Sequence, residues 1–141
     1  MKKAIIFYRS RTGITRNYAD EIAHFLKTKD MEVKVINVLD YDQSQLEGAN
    51  LILLGCWTHG LMFFAQHPDK AWKEFAKQLP ALNGKIIGLF TTYKAATGSM
   101  FKKMKKCLKN KVDKIDFELK SKTGELIYVE KNIIEEAIKD W

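Results

Sequence analysis

Residues Ala4 to Thr15, AIIFYRSRTGIT, decide the fold. The unbroken apolar run Ala4 to Tyr8 reads as a strand covered on both faces, since a strand buried on one side only alternates apolar and polar residues. After Arg9 the loop Ser10-Arg11-Thr12-Gly13-Ile14-Thr15 leads straight into Tyr18, Ile22, Phe25 and Leu26, whose spacing is the buried stripe of a helix over Thr15 to Leu26. The loop between them carries chemistry. The first amides of a helix lack partners and its dipole places about half a positive charge there, so an anion such as phosphate is stabilised. Ser10, Thr12 and Thr15 add O–H donors, and Gly13 permits close backbone approach or a positive φ. A plain helix cap needs one hydroxyl. Three of them with a glycine inside six residues point to a bound phosphate.

Working outward, strand and helix signals alternate. Val33 to Leu39 is a β-branched strand, and after the polar stretch Asp40 to Gly48 a second all-apolar run, Leu51 to Leu54, ends at Gly55. Pro68 suits the first turn of a helix whose buried stripe is Ala71, Trp72, Phe75 and Leu79, with Pro80 beyond its end. Lys85 to Phe90 is a fourth strand, Gly98 to Leu108 a helix, Lys114 to Leu119 a fifth strand, and Asn132 to Lys139 a last helix. Alternation with helical crossovers means an α/β chain with a doubly wound, five-stranded parallel sheet. In such sheets ligands bind beyond the carboxyl ends of the strands, where strand order reverses. The loops after strands one, three and four, at 9–15, 56–67 and 91–97, are therefore the candidate site.

At 141 residues and 16.3 kDa the chain is expected to be one domain, residues 1–141. No apolar stretch approaches the ~20 residues of a membrane span, and no leader peptide is recognisable, so a soluble, cytoplasmic protein is expected. Cys56 and Cys107 are far apart and unpaired in spacing, signalling neither a disulfide framework nor zinc. The formal charge of +7 is concentrated: Lys94 to Lys122 holds ten lysines against Asp113, Asp116 and Glu118, and the rest of the chain balances. That segment is either a solvated helix face or a surface that steers an acidic partner. Basic residues are not interleaved with exposed aromatics there, which argues against nucleic acid.

The motif Ser10-x-Thr12-Gly13-x-Thr15 resembles the loop by which flavodoxins hold the phosphate of FMN, with Ile14 where that family often has Asn. Leu51 to Gly60 (LILLGCWTHG) is similar to the family's third strand and flavin-flanking loop, matching at Gly55, Thr58 and Gly60, and Gly84 to Thr92 to its fourth strand. The likeness covers nearly the whole chain. It implies strand order 2-1-3-4-5 with helices on both faces, and a non-covalently bound FMN contacted by Ser10, Arg11, Thr12, Gly13, Ile14 and Thr15 in the first loop. In the second loop it implies Cys56, Trp57, Thr58, His59 and Gly60, and in the third Thr91, Thr92, Tyr93 and Lys94. Backbone amides of these last two loops would bond the pyrimidine edge of the ring. The stacking aromatic is Trp57 or Tyr93, and the family's position falls on His59, whose protonated form would favour the reduced, anionic flavin. For Trp57 a place in the core is the competing reading, and a small buried residue is the plainer one for Cys56.

No catalytic or metal-ligating residue is identified. No G-x-x-x-x-G-K-[ST] or G-x-G-x-x-G motif is present, and a receiver-type phosphoacceptor domain is a weak rival, because strand one ends in Tyr8 and Arg9 where it needs acids. The resemblance leaves open an electron carrier serving a redox partner protein or small acceptor, a small FMN-dependent oxidoreductase, or a flavin-free partner-binding module. Electron-transfer flavodoxins ring the cofactor with acids, whereas Thr91 to Thr97 contains none, so the fully reduced flavin is expected to be less disfavoured here. The run Leu61 to Ala65, with Met62, Phe63 and Phe64, plugs into the core or forms the rim of a docking surface.

Overall fold

The computed structural model describes residues 1–61 and 64–141. The chain runs β1 (Lys3–Arg9), α1 (Ile14–Lys27), β2 (Glu32–Asn37), β3 (Leu51–Trp57), β4 (His59–Leu61), β5 (Phe64–His67), α2 (Lys70–Gln78), β6 (Ile86–Thr92), α3 (Met100–Cys107), β7 (Phe117–Ser121) and α4 (Tyr128–Ile138). Strands β2-β1-β3-β6-β7 form one parallel sheet in that order, and β4 and β5 form a separate antiparallel pair. Counting only the strands of the large sheet, this is the expected order 2-1-3-4-5.

Alternation along the strands divides the core into two. Ile5 and Phe7 of β1 join Ile52, Leu54, Trp72, Phe75, Met100 and Met104 under α2 and α3. Ala4, Ile6 and Tyr8 turn the other way, to Tyr18, Ile22, Leu26, Phe90 and Ile134 under α1 and α4. Helices thus cover both faces, and each fully buried large side chain contributes roughly 1.5–3 kcal/mol.

Several element boundaries differ from expectation for local reasons. Gly55 does not end β3, which continues to Trp57; a Cβ at Gly55 would sit inside the Phe90 ring, so the glycine is a packing requirement. Pro68 precedes helix α2 instead of opening it, because Asp69 is the cap, its Oδ1 accepting from Trp72 N–H at 3.2 Å. Strand β2 stops at Asn37, whose side chain accepts from Leu39 N–H and starts a 3₁₀ turn; a second turn at Gln43–Leu46 completes a crossover without an α-helix. Helix α3 starts at Met100 because Gly98 takes φ +50. β7 starts at Phe117, after Asp116 has bonded both polar groups of Ile87, and α4 starts at Tyr128, four residues before the apolar stripe suggested.

Candidate functional site

Register brings the three loops level. Arg9, Cys56 and Thr91 are cross-strand neighbours, as are Trp57 and Thr92, so β1, β3 and β6 end on one line. Hydroxyls tie their loops together. Thr15 Oγ1 meets Thr92 Oγ1 at 2.6 Å, Thr58 Oγ1 meets Thr91 Oγ1 at 2.7 Å, and Thr58 N–H donates to Thr92 O at 2.9 Å. Three segments distant in sequence thus form one rim.

In the first loop Ser10 Oγ accepts from the amides of Gly13 (3.0 Å) and Arg16 (3.3 Å) and takes the place of a helix cap. The amides of Thr12, Ile14 and Thr15 have no protein acceptor among the described residues. Gly13 sits at φ +98 with open space where a Cβ would be, and no acid stands in the first turn of α1. Free N–H groups, an exposed Thr12 hydroxyl, exposed Arg11 and Arg16 and no carboxylate form a donor set suited to phosphate. Thr15 is only 1% exposed and faces Thr92, not solvent; a hydroxyl pair sharing one hydrogen bond still has a second proton to donate. Ile14 projects outward, 40% exposed.

The second loop presents a column of flat groups. Trp57 stacks on His59 (centroids 4.8 Å, 21°), His59 on His67 (4.5 Å, 26°), and Arg11 lies 5.2 Å over Trp57. His59 and His67 face each other because they are the cross-strand pair of the β4–β5 hairpin, an element the sequence did not reveal. In the third loop Tyr93 is half-buried with Lys120 and Lys122 at 5.9 and 5.8 Å from its ring, and Lys94 is exposed. Of the amides expected to meet the flavin, those of Thr58 and Tyr93 are already bonded to Thr92 O and Ser121 O. Gly60, at φ +139, lies against the Ala65 backbone. Cys56 is wholly buried on the α2 side, where burial pushes its thiol far up; its Sγ accepts from Asp69 N–H at 3.5 Å. Met62 and Phe63 of the expected docking rim lie outside the described residues, as do the side chains of Leu61 and Phe64.

Asp69 is the site residue that sequence reasoning missed. Its Oδ2 accepts from Arg9 Nε at 3.0 Å and from Trp57 Nε1 at 3.1 Å, while Oδ1 caps α2. One carboxylate therefore fixes the end of β1, the indole plane and the start of α2. Burial alone would raise its pKa, but the hydrogen bonds from Arg9, Trp72 N–H and Trp57 outweigh it and hold the carboxyl below the ordinary value. A Pro-Asp pair ahead of a helical stripe signals a cap; nothing local signals the two other bonds.

The family model for flavodoxin matches residues 6–141. A curated flavodoxin of Maridesulfovibrio salexigens is 36% identical over 61 residues, 43% of this chain, and the match spans only 42% of that protein's length. Among solved structures, two-electron reduced Megasphaera elsdenii flavodoxin superposes with a TM-score of 0.76 at 23% identity, over 96% of this chain and 98% of that one. A variant Fusobacterium nucleatum flavodoxin bound to flavin mononucleotide gives 0.63 at 23%, over 99% and 94%. With a family match from the first strand to the last residue and the family's strand order in the sheet, the chain belongs to the flavodoxin family.

Proposed function

We propose that this protein is a cytoplasmic, single-domain electron carrier that binds FMN without a covalent bond and serves an acidic redox partner. The observation that carries the reading is the first loop: a helix start with unengaged amides, free hydroxyl protons and two arginines, joined through Thr15 and Thr92 to the loops that would flank a flavin. When bound, FMN supplies one- and two-electron chemistry. The protein's part is to bind, orient and tune. The amides of Ile14 and Thr15 and the Thr12 hydroxyl hold the phosphate, Asp69 keeps the Trp57 plane fixed, and Lys94 and Arg11 set the charge around the ring.

Support for the compartment comes from two free cysteines, and among the described residues no helix is long and apolar enough to cross a membrane. An acidic partner fits the lysines that follow β6.

Titration of the purified protein with FMN, followed by quenching of flavin fluorescence, tests the reading. Micromolar or tighter binding is expected, with riboflavin much weaker because it has no phosphate. Thr12→Ala should weaken FMN and leave riboflavin unchanged; no FMN binding, or equal weakening of both ligands, sinks the assignment.

A further inference from the structure

We infer that the α2/α3 layer is the docking face for the acidic partner, which lies along α3 and reaches the cofactor loops at that helix's start; the inference rests on the electron-carrier reading and gives its partner a place. Charge is segregated by layer. Helices α2 and α3 carry seven lysines against Glu74, a balance of +6, whereas α1 and α4 carry Arg16, Lys27 and Lys131 against five carboxylates, a balance of −2. The sequence shows only the lysine run of α3. Folding adds the lysines of α2, since α2 and α3 pack side by side over the same face of the sheet.

These charges are largely uncommitted. Lys105 and Lys114 pair with Glu118 (2.5 Å) and Asp116 (3.5 Å), but Lys102, Lys103, Lys106 and Lys109 have no carboxylate within 4.0 Å among the described residues. Together with Lys105 and Lys114 they line an open groove of about 660 Å³ that runs along α3 from Ser99 to Ile115, with Val112 and Ile115 in its floor and Asp113 as its one carboxylate. Its upper end is fastened to the site. Ser99 Oγ donates to Gln66 O at 3.1 Å, and Gln66 belongs to the hairpin whose His59 stacks on Trp57. A partner seated in the groove therefore touches the rim of the candidate cofactor site.

A protein carboxylate surface fits this face better than other polyanions do. Helices α2 and α3 expose no large apolar side chain; Ile127, Tyr128, Val129 and Ile133 are exposed at the start of α4, on the opposite layer, so the basic face offers a bilayer nothing to insert. It offers nucleic-acid bases no exposed aromatic to stack upon. The acidic α4 layer repels an acidic partner and restricts its approach to one side.

The test is calorimetric titration of the flavin-free protein with a glutamate-rich peptide, a DNA duplex of equal charge and phosphatidylglycerol vesicles, at low and high salt. The peptide should bind at low salt and weaken with salt, and Lys102→Glu/Lys106→Glu/Lys109→Glu should weaken it about tenfold or more. Lys27→Glu/Lys29→Glu/Lys131→Glu, the same charge change on the other layer, should shift it about twofold at most. Circular dichroism checks both folds, and the corresponding Lys→Gln triple repeats the comparison with less perturbation. Absence of peptide binding, equal weakening by both triples, or tighter binding of duplex or vesicles overturns the inference. Because the titration uses no flavin, failure of FMN binding is a separate outcome.

Discussion

At the residue scale, Asp69 concentrates more structure than its place in the sequence suggests. Asp69→Ala removes the α2 cap, leaves the half-buried Arg9 guanidinium without its anion and frees the Trp57 indole N–H. A loss of roughly 2–3 kcal/mol in urea unfolding is expected, with Trp57 emission changed because its ring is no longer fixed. Asp69→Asn keeps an acceptor for the cap and should lose less. The carboxyl also sets a pH dependence. Its pKa lies below the ordinary 3.8 in the folded chain, so its stabilisation is complete above that value and disappears as pH falls through the depressed folded value. Asp69→Asn should therefore flatten the acid limb of the stability curve and leave neutral pH to alkaline pH parallel to wild type; an unchanged acid limb would show that other carboxyls govern it. Local features such as the Ser10 hydroxyl at the start of α1 and the positive φ of Gly13 were legible in the sequence. Asp69 was not, because two of its three bonds depend on β1 and β3 lying side by side.

At the element scale, the same limit explains which strands and helices could be foreseen. β1, β3 and β6 are all-apolar runs and their existence is plain, but their ends depend on neighbours: β3 passes through Gly55 because Phe90 packs there. Gly55→Ala thus forces a ring in the core to move and should cost roughly 1–3 kcal/mol. Gly13→Ala meets no atom, and its cost of about 1 kcal/mol is the left-handed backbone alone. Thermal melts of the two variants separate packing from backbone strain. The early start of α4 was hidden because Tyr128 and Val129 face solvent, while the residue that turns inward is Glu130. Its carboxylate accepts from Tyr18 O–H and from Lys120 N–H at 2.8 Å, joining α4 to α1 and to the end of β7. Glu130→Ala strands the buried Tyr18 hydroxyl and the part-buried Lys120 amide and should destabilise by roughly 2–3 kcal/mol, more than the surface change Glu136→Ala, whose partner Lys139 is exposed. The β4–β5 hairpin had no signature, since neither Asn-Gly nor Asp-Gly occurs in the sequence between His59 and His67.

At the scale of the whole molecule, charge separates this chain from the acidic flavodoxins it resembles. The loops at 10–15, 57–60 and 91–94 contain no carboxylate, and the one that touches Trp57, Asp69, is paired with Arg9. Around them stand Arg11, Arg16, Lys94, Lys120 and Lys122, and behind them the lysines of α3. Reduction to the anionic flavin adds negative charge, which a basic surround favours by a Coulomb contribution that mobile ions screen. Two consequences have opposite sign from those of an acidic surround. The potential of the second electron should be less negative than in acidic flavodoxins, and raising ionic strength should bring it back down, because salt screens attraction here where it screens repulsion there. Redox titration of the FMN-loaded protein at low and high salt measures both at once. A potential that rises with salt would mean that the local field at the ring is negative despite the +7 carried by the chain. Lys94→Glu, at the end of the third loop, should move the low-salt potential down and reduce its salt dependence, whereas Lys139→Glu, exposed on the far end of α4, should move neither.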